Sequence, residues 1–310
     1  MTGTAAASDP AGVAARHPGR GTVVALAQIA PRLGDVPTNL ARHLAIINEA
    51  AAHGAGMVVF PELSLTGYFL KDLVPDVALR EDSEEVSALA AASTRVDVVV
   101  GAVLETDDVR FHNAVMLFRD GALRHVHHKV YLPTYGIFDE QRYLAAGDRF
   151  QTCELTGGAP RRAPWRAGIL ICEDMWHPSA AALLARQGVD VLLCPSASPG
   201  RGVSRGQALG TALSYDAIIR TYAQLFTTFV VYCNRVGYED GIGFWGGSRV
   251  VAPDGSVLGE PAGADEALVY HRIERGTLRR ARIAYPLLRD ERHDVNDAET
   301  DRIWHRRARG

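Results

Sequence analysis

Cys172 has the side chain and the position of a covalent nucleophile. It ends an apolar, strand-like run at residues 168–172 (GILIC), and a helix start is predicted shortly after it, near residue 178. A cysteine at such a strand-to-helix turn lies near backbone N–H groups, which can lower the pKa of a thiol and stabilise an oxyanion. The alternative is a small hydrophobic residue that ends a buried strand. We interpret Cys194 and Cys233, which lie inside predicted strands, in that way.

A carboxylate and an amine also lie at the ends of predicted strands. Glu62 follows the run at residues 57–60 (MVVF) among apolar and aromatic neighbours, and Lys129 ends a strand-like run at residues 123–129. Active sites of α/β proteins collect at such strand ends, and an apolar setting makes a carboxylate a stronger base. Taken singly, a solvated loop glutamate and a solvated lysine are the alternatives.

The elements that would position these residues alternate along much of the chain. Short β-branched runs bounded by turn residues predict buried strands, and they lie at residues 22–30, 57–60, 96–104, 168–172, 189–194 and 229–233. Apolar residues at helical spacing predict a helix over residues 40–51 that ends before Gly54. A second helix is predicted from Pro178 to just before Gly188, and a third over residues 207–226.

The middle of the chain departs from this alternation. The runs at residues 111–118 and 123–129 flank Arg119, Asp120 and Gly121, which is typical of a β-hairpin. The sheets are therefore predicted to be mixed, in a layered α/β fold whose helices cover the apolar faces of the sheets. One domain is predicted at residues 22–275, between a disordered extension at 1–21 and a C-terminal segment at 276–310 that packs on the domain or on a partner subunit.

Composition places few constraints on function. The 310 residues are 47% hydrophobic and 22% charged with a net charge of −3, as in soluble globular proteins, and this balance points neither to nucleic acid nor to a membrane surface. The first twenty residues contain no apolar run of the kind a secretory signal needs. The four widely spaced cysteines contain no C-x-x-C pair, so we expect reduced thiols in a cytoplasmic protein.

Two further patterns do not predict a cofactor. Residues 241–246 (GIGFWG) fit G-x-G-x-x-G, but a strand-like run follows them where a dinucleotide site requires a helix. On a strand, His125 and His127 share a face whereas His128 points away from it. Zinc sites usually take three or four ligands, so structural or solvated histidines are the better interpretation. We expect neither a metal nor a cofactor.

Three segments in order resemble the signatures of the nitrilase, or carbon–nitrogen hydrolase, superfamily. They are FPELSLTGY around Glu62, HHKVYLPTYGIFDEQRYLAAGD around Lys129 and ILICEDMWHP around Cys172. The middle segment is most similar to the glutamine-hydrolysing domain of glutamine-dependent NAD synthetases. The resemblance extends over about residues 23–270, and the 310 residues contain no counterpart of a synthetase domain.

The resemblance implies an αββα sandwich and a set of catalytic roles. Glu62 would be the general base that takes the proton of Cys172, and Cys172 would attack an amide carbon. Lys129 and the backbone N–H of Glu173 would stabilise the oxyanion, and Glu140 matches a second family glutamate that orients the site. A thioester intermediate divides amide hydrolysis into two easier steps.

The resemblance also implies residues that bind substrate. In the glutaminase relatives, a tyrosine after the lysine and a serine after a late strand contact the substrate, and Tyr135 and Ser198 occupy those positions here. Glu173 is a further candidate for substrate binding. An arginine contributes as well. The loop differs in length in this sequence, so either Arg201 or Arg205 is its counterpart.

The leading hypothesis is a cysteine-dependent amidase that releases ammonia from a small carboxamide, with a glutamine-like substrate as one candidate. A nitrile or N-carbamoyl hydrolase is the alternative, although nitrile hydrolysers usually have a tryptophan after the cysteine, where Glu173 stands here. A non-catalytic binding or assembly subunit is the hypothesis from another class. The resemblance also implies a homodimer or larger homo-oligomer. A separate synthetase that accepts ammonia is a further candidate partner, and the predicted helix at residues 207–226 would serve either as an interface or as part of the core.

Overall fold

Two β-sheets packed face to face form the centre of the structure. The computed structural model describes residues 21–157, 163–200 and 209–307. The predicted extension at residues 1–21 therefore lies outside the described residues except for Gly21, and so do Arg201 and Arg205.

Thirteen strands occur in the described residues: β1 Gly21–Gln28, β2 Met57–Val59, β3 Asp97–Glu105, β4 Phe111–Arg119, β5 Ala122–His128, β6 Thr152–Leu155, β7 Trp165–Ile169, β8 Val191–Ser196, β9 Phe229–Asn234, β10 Val236–Glu239, β11 Ile242–Trp245, β12 Arg249–Val251 and β13 Ala267–Glu274. The first sheet has the order β13-β1-β2-β3-β4-β5 and the second has the order β12-β9-β8-β7-β6. In each, three central strands are parallel and the flanking strands antiparallel, so the prediction of mixed sheets is confirmed. Strands β10 and β11 form a separate hairpin.

Nine α-helices occur in the same residues: α1 Val36–Ala52, α2 Val74–Val77, α3 Glu84–Ala92, α4 Glu140–Tyr143, α5 Pro178–Arg186, α6 Gly210–Leu225, α7 Arg275–Ala284, α8 Leu287–Asp290 and α9 His293–Arg307. Short 3-10 helices span Lys71–Leu73 and Cys172–Trp176. Helix α1 begins after Asp35, whose side chain accepts a hydrogen bond from the N–H of Thr38, the usual way to satisfy a first-turn donor. The predicted helices at residues 40–51 and from Pro178 are confirmed.

The layers follow from the alternation of side chains along each strand. Val59 and Leu193 point between the two sheets into a shared apolar core. Val58, on the opposite face of β2, packs in a core that contains Ile47 of α1 and Leu89 of α3. Across the molecule, Leu192 of the second sheet lies in a third core with residues of α5 and α6. The order of layers is therefore helix, sheet, sheet, helix, which confirms the αββα sandwich.

Helix α6 begins later than predicted, and residues 201–208 lie outside the described part of the chain. Ile219 is buried in the third core, whereas Leu213 is 51% exposed. Of the two roles considered for this helix, the core role is therefore confirmed for Ile219.

The C-terminal helices contact the body of the protein. Leu278 of α7 is buried in the core between the sheets, and Arg186 of α5 makes two hydrogen bonds of 2.8 Å to Asp297 of α9. The division at residue 275 stays a prediction. Within the described ranges, none of the helices has both the length and the apolar character needed to cross a membrane.

Candidate active site

The site is built where strands of the two sheets end close together. Glu62 lies three residues beyond β2, and Lys129 directly follows β5, which ends one residue earlier than predicted. Lys129 Nζ lies 2.7 Å from Glu62 Oε1 and 2.7 Å from Glu140 Oε1. All three side chains are buried, so the fold joins a cation and two carboxylates that are distant in sequence.

The Glu62 carboxylate is held from both sides. Asn113 Nδ2 donates a hydrogen bond of 2.7 Å to Oε1, and the backbone N–H of Ala197 donates one of 2.7 Å to Oε2. Asn113 was not identified from the sequence. The available signal is that it is a lone amide in the buried strand β4, where a polar side chain needs a partner.

Burial and the neighbouring charges have opposite effects on the pKa of Lys129. Burial alone would lower the pKa of Lys129, but the carboxylates of Glu140 and Glu62 outweigh it and raise the pKa well above its ordinary value. The amine is therefore a permanent cation. Burial raises the pKa of Glu140 to about 7, with Lys129 opposing that rise and Glu62 adding to it.

Tyr68 completes the surroundings of Glu140. Its hydroxyl donates a hydrogen bond of 2.5 Å to Glu140 Oε1. The backbone N–H groups of Tyr68 and Phe69 donate to Glu239 Oε1 over 2.7 and 2.6 Å, and Glu239 pairs with the buried Arg235. A buried ion pair thus holds the loop that carries Tyr68. None of these supporting contacts was identified from the sequence, since those of Tyr68 and Phe69 join residues more than 70 positions apart.

Cys172 occupies a strained turn between β7 and α5. The strand predicted at residues 168–172 ends at Ile169, and Cys172 begins a 3-10 helix with a φ of 44°. The turn closes because the Asp174 side chain accepts a hydrogen bond of 3.0 Å from the N–H of Ile171. A non-glycine residue with positive φ is uncommon and marks a position that the surrounding structure enforces.

The thiol of Cys172 is partly buried, and Tyr215 OH of helix α6 lies 3.2 Å from its sulfur. Burial, followed by the negative charge of Glu62, raises the pKa of Cys172 well above its ordinary value, although Lys129 opposes that rise. The expectation that nearby amides lower this pKa is wrong, because burial and Glu62 raise it. The resting thiol of Cys172 is therefore neutral, and its ionisation requires a base.

Asp174 ties the lysine and cysteine segments together. Its Oδ1 accepts hydrogen bonds from the N–H groups of Val130 and Tyr131 over 3.1 and 2.9 Å, while Oδ2 lies 3.1 Å from His127 Nε2. His127 is therefore a buried structural residue, as interpreted. Because Asp174 contacts both segments, a shift of either would break several hydrogen bonds.

The residues with predicted substrate contacts lie around this centre at different depths. Tyr135, which is 54% exposed, donates from its hydroxyl to the carboxylate of Glu173 over 3.0 Å. Ser198 is buried and its Oγ accepts a hydrogen bond of 3.2 Å from Trp245 Nε1. Arg201 and Arg205 lie outside the described residues. The G-x-G-x-x-G match forms strand β11 and a loop to β12, which confirms that it does not open a helix.

Glu140 makes the stability of the folded protein depend on pH. Because its folded pKa is raised from 4.5 to about 7, its stabilising contribution is present below about pH 4.5 and is lost as the pH rises through about 7. Between pH 5 and pH 8, titration of Glu140 should lower the free energy of unfolding of the wild type by up to about 3 kcal/mol. We expect Glu140→Gln to abolish this decrease.

The measurement is urea unfolding at both pH values, with the exposed Glu84→Gln as the matched control. An unchanged pH slope in Glu140→Gln would show that this carboxyl group does not titrate there.

Sequence comparison identifies the family of the chain. A family model described as carbon–nitrogen hydrolase matches residues 23–283. The glutamine-dependent NAD(+) synthetase of Acinetobacter baylyi is 30% identical over 254 residues, which cover 81% of this chain and 44% of that protein. The enzyme of the same name from Thermotoga maritima is 33% identical, over 76% of this chain and 39% of that protein. The chain thus spans less than half the length of these curated relatives.

Solved structures share the architecture. The glutamine-dependent NAD+ synthetase of Acinetobacter baumannii superposes with a TM-score of 0.72 at 28% identity, over 84% of this chain and 47% of that chain. An amidase of the nitrilase superfamily from Nesterenkonia superposes with a TM-score of 0.71 at 23% identity, over 92% of this chain and 98% of that chain. At that identity the second comparison shows the fold alone.

Proposed function

The chain belongs to the carbon–nitrogen hydrolase family, and we propose that it hydrolyses a small carboxamide through a thioester on Cys172, with release of ammonia. The observation that carries the proposal is the buried contact of Lys129 with Glu62 and Glu140, at the strand ends beside the turn that presents Cys172. Burying a cation together with two carboxylates costs free energy, and amide hydrolysis would make use of these charges.

In the first half of the reaction, Glu62 accepts the proton of the Cys172 thiol as the sulfur lone pair bonds to the amide carbon. Negative charge develops on the amide oxygen, where the permanent cation of Lys129 stabilises it. The N–H of Glu173 assists, because the first-turn amides of a helix have no acceptor inside that helix. The tetrahedral species then collapses, the C–N bond breaks, and protonated Glu62 supplies the proton with which ammonia leaves.

In the second half, water hydrolyses the thioester. Glu62 takes a proton from the attacking water, whose oxygen bonds to the acyl carbon, and the same cation and N–H stabilise the second oxyanion. The C–S bond breaks with its electrons on sulfur. The proton held by Glu62 returns to sulfur, the carboxylic acid departs, and the neutral thiol is restored.

We propose a glutamine-like carboxamide as the substrate. The names of the curated relatives refer to glutamine, and the rim of the site offers Glu173, a carboxylate that is adjacent to the nucleophile and held by Tyr135. A carboxylate at this position suits the ammonium group of an amino acid. Ser198 and either Arg201 or Arg205 complete the proposed set of substrate contacts.

The test is an ammonia-release screen of purified protein against glutamine, asparagine, simple aliphatic amides, nitriles and N-carbamoyl amino acids. We expect release from carboxamides, with glutamine-like compounds having the highest kcat/KM. Preference for a nitrile or an N-carbamoyl compound would replace the proposed substrate class, and no release from any compound would favour a binding or assembly subunit. The homo-oligomer and the ammonia-accepting synthetase stay predictions.

Glu173→Gln gives a sharper test of the substrate. The variant keeps the backbone N–H but removes the charge, so we expect KM for glutamine to rise by about ten- to one-hundred-fold, as for loss of a charged hydrogen bond. Butyramide, which has no ammonium group, serves as the matched substrate and should keep its KM. An equal effect on both substrates would contradict ammonium recognition by Glu173.

A further inference from the structure

Tyr215 contacts the nucleophile from the helical layer that covers the second sheet. Its side chain is 2% exposed, and its hydroxyl lies 3.2 Å from Cys172 Sγ. The ring packs against Tyr232 and Trp176, with ring centroids 5.0 and 5.4 Å away. Aromatic packing on two sides restricts the ring, so the position of the hydroxyl is defined by the core and not by solvent.

The direction of this hydrogen bond becomes fixed during the reaction. In the resting enzyme, both groups carry a proton and either can donate. Once Glu62 has accepted the thiol proton, the sulfur can only accept, so the Tyr215 hydroxyl must donate. Hydrogen bonds to an ionised partner are roughly twice as strong as neutral ones, and the contact therefore strengthens as the thiolate forms.

Other groups around the sulfur have different tasks or the wrong charge. The two contacts of Lys129 given above go to Glu62 and Glu140. Glu62 either is ionised, and then repels a thiolate, or holds the thiol proton that ammonia needs in order to leave. The titratable groups that act on the sulfur are Glu62, Lys129, Cys194 and Tyr215, and Cys172 in turn acts on Tyr232 and Tyr68. Burial keeps the pKa of Tyr215 well above its ordinary value, so its hydroxyl stays a donor at physiological pH.

We propose that Tyr215 is a further catalytic residue, whose hydroxyl donates a hydrogen bond to the sulfur of Cys172 whenever that sulfur carries negative charge. This role rests on the proposed function. The bond assists attack, as the thiol loses its proton, and it assists departure of the thiolate when the thioester is hydrolysed. Tyr215 transfers no proton in either half.

The test compares Tyr215→Phe with Tyr222→Phe, a matched loss of one hydroxyl from a buried position two turns along helix α6. Iodoacetamide alkylation of Cys172, followed by peptide mass spectrometry between about pH 7 and pH 10, measures the thiolate directly and needs no substrate. Ammonia release from the best carboxamide gives kcat/KM for the same proteins. Thermal unfolding of each variant checks that it is folded.

We expect Tyr215→Phe to alkylate about three- to tenfold more slowly at each pH, because the loss of thiolate exceeds the gain in its nucleophilicity. We expect kcat/KM to fall by about ten- to one-hundred-fold. Tyr222→Phe should match the wild type in both assays.

Alkylation of Tyr215→Phe at the wild-type rate would overturn the proposal even if turnover fell, because the loss would then come from packing. A Cys172 that resists alkylation in every protein would overturn it as well, since no thiolate would form. Slow alkylation of Tyr215→Phe together with a wild type that hydrolyses no amide would support the contact with sulfur and reject the proposed function.

Discussion

Cys172→Ala is expected to abolish ammonia release, with a fall in kcat on the order of 10⁴-fold or more. The reason is that the thioester route requires a bond from sulfur to the acyl carbon, and no other described residue replaces that atom at the turn. The partly buried thiol makes one hydrogen bond, to Tyr215, so its removal should leave the fold intact. Ammonia release and thermal unfolding measure the two effects.

Cys153→Ala is the matched control. Cys153 is also a partly buried free cysteine, but it lies on the edge strand β6, where its sulfur approaches the carbonyl oxygen of Ala167 at 3.7 Å. We expect its activity to stay within about twofold of the wild type, as for substitutions away from a site. Ammonia release that survived in Cys172→Ala would rule out the proposed mechanism, whatever the control did.

Lys129→Met is expected to damage both stability and catalysis. It leaves the buried Glu62 and Glu140 without their shared cation, and breaking a buried ion pair from one side costs about 3–5 kcal/mol. It also removes the charge that we propose stabilises the oxyanion, so we expect kcat to fall by a factor on the order of 10²–10³. Urea unfolding and ammonia release report the two losses separately.

The stability deficit of Lys129→Met should depend on pH in a defined direction. The raised folded pKa of Lys129 means that its own protonation contributes fully below the ordinary lysine value, so Lys129 stays charged from pH 5 to pH 8. In the variant, Glu140 loses the cation that opposes the rise of its pKa and can become neutral only by binding a proton. The deficit should therefore shrink as the pH falls toward about 4.

Lys71 provides the control, because it is the other lysine of the chain. It pairs with Asp240 at 2.7 Å, and both side chains are more than half exposed, at 54% and 55%. An exposed pair contributes about 0–1 kcal/mol, so Lys71→Met should unfold almost like the wild type. Equal deficits in the two variants would contradict the buried charge network.

Local sequence signals predicted the parts of the structure that local interactions form. The end of α1 before Gly54 was predicted because a positive φ involves only a few neighbouring residues. Its start was missed: the helix begins at Val36, after the Asp35 cap, four residues before the predicted Leu40. The hairpin of β4 and β5 was predicted from Asp120 and Gly121 for the same reason, since both have positive φ in the turn. The boundary at Cys172 was less accurate: the strand ends at Ile169 and Cys172 begins a 3-10 helix, because the Asp174 side chain closes a turn with the N–H of Ile171, a contact that strand periodicity does not show.

The sequence by itself indicated the nucleophile candidate and the strand ends that carry Glu62 and Lys129, and the family resemblance implied the αββα fold. The contacts of Lys129 with Glu62 and Glu140 came from the tertiary structure. Only the tertiary structure showed that Asn113 and the N–H of Ala197 hold Glu62, that the Cys172 thiol is neutral, and that Tyr215 reaches its sulfur from helix α6. The reason is physical: periodicity and capping act over a few residues, whereas these contacts depend on how two sheets and their helices pack.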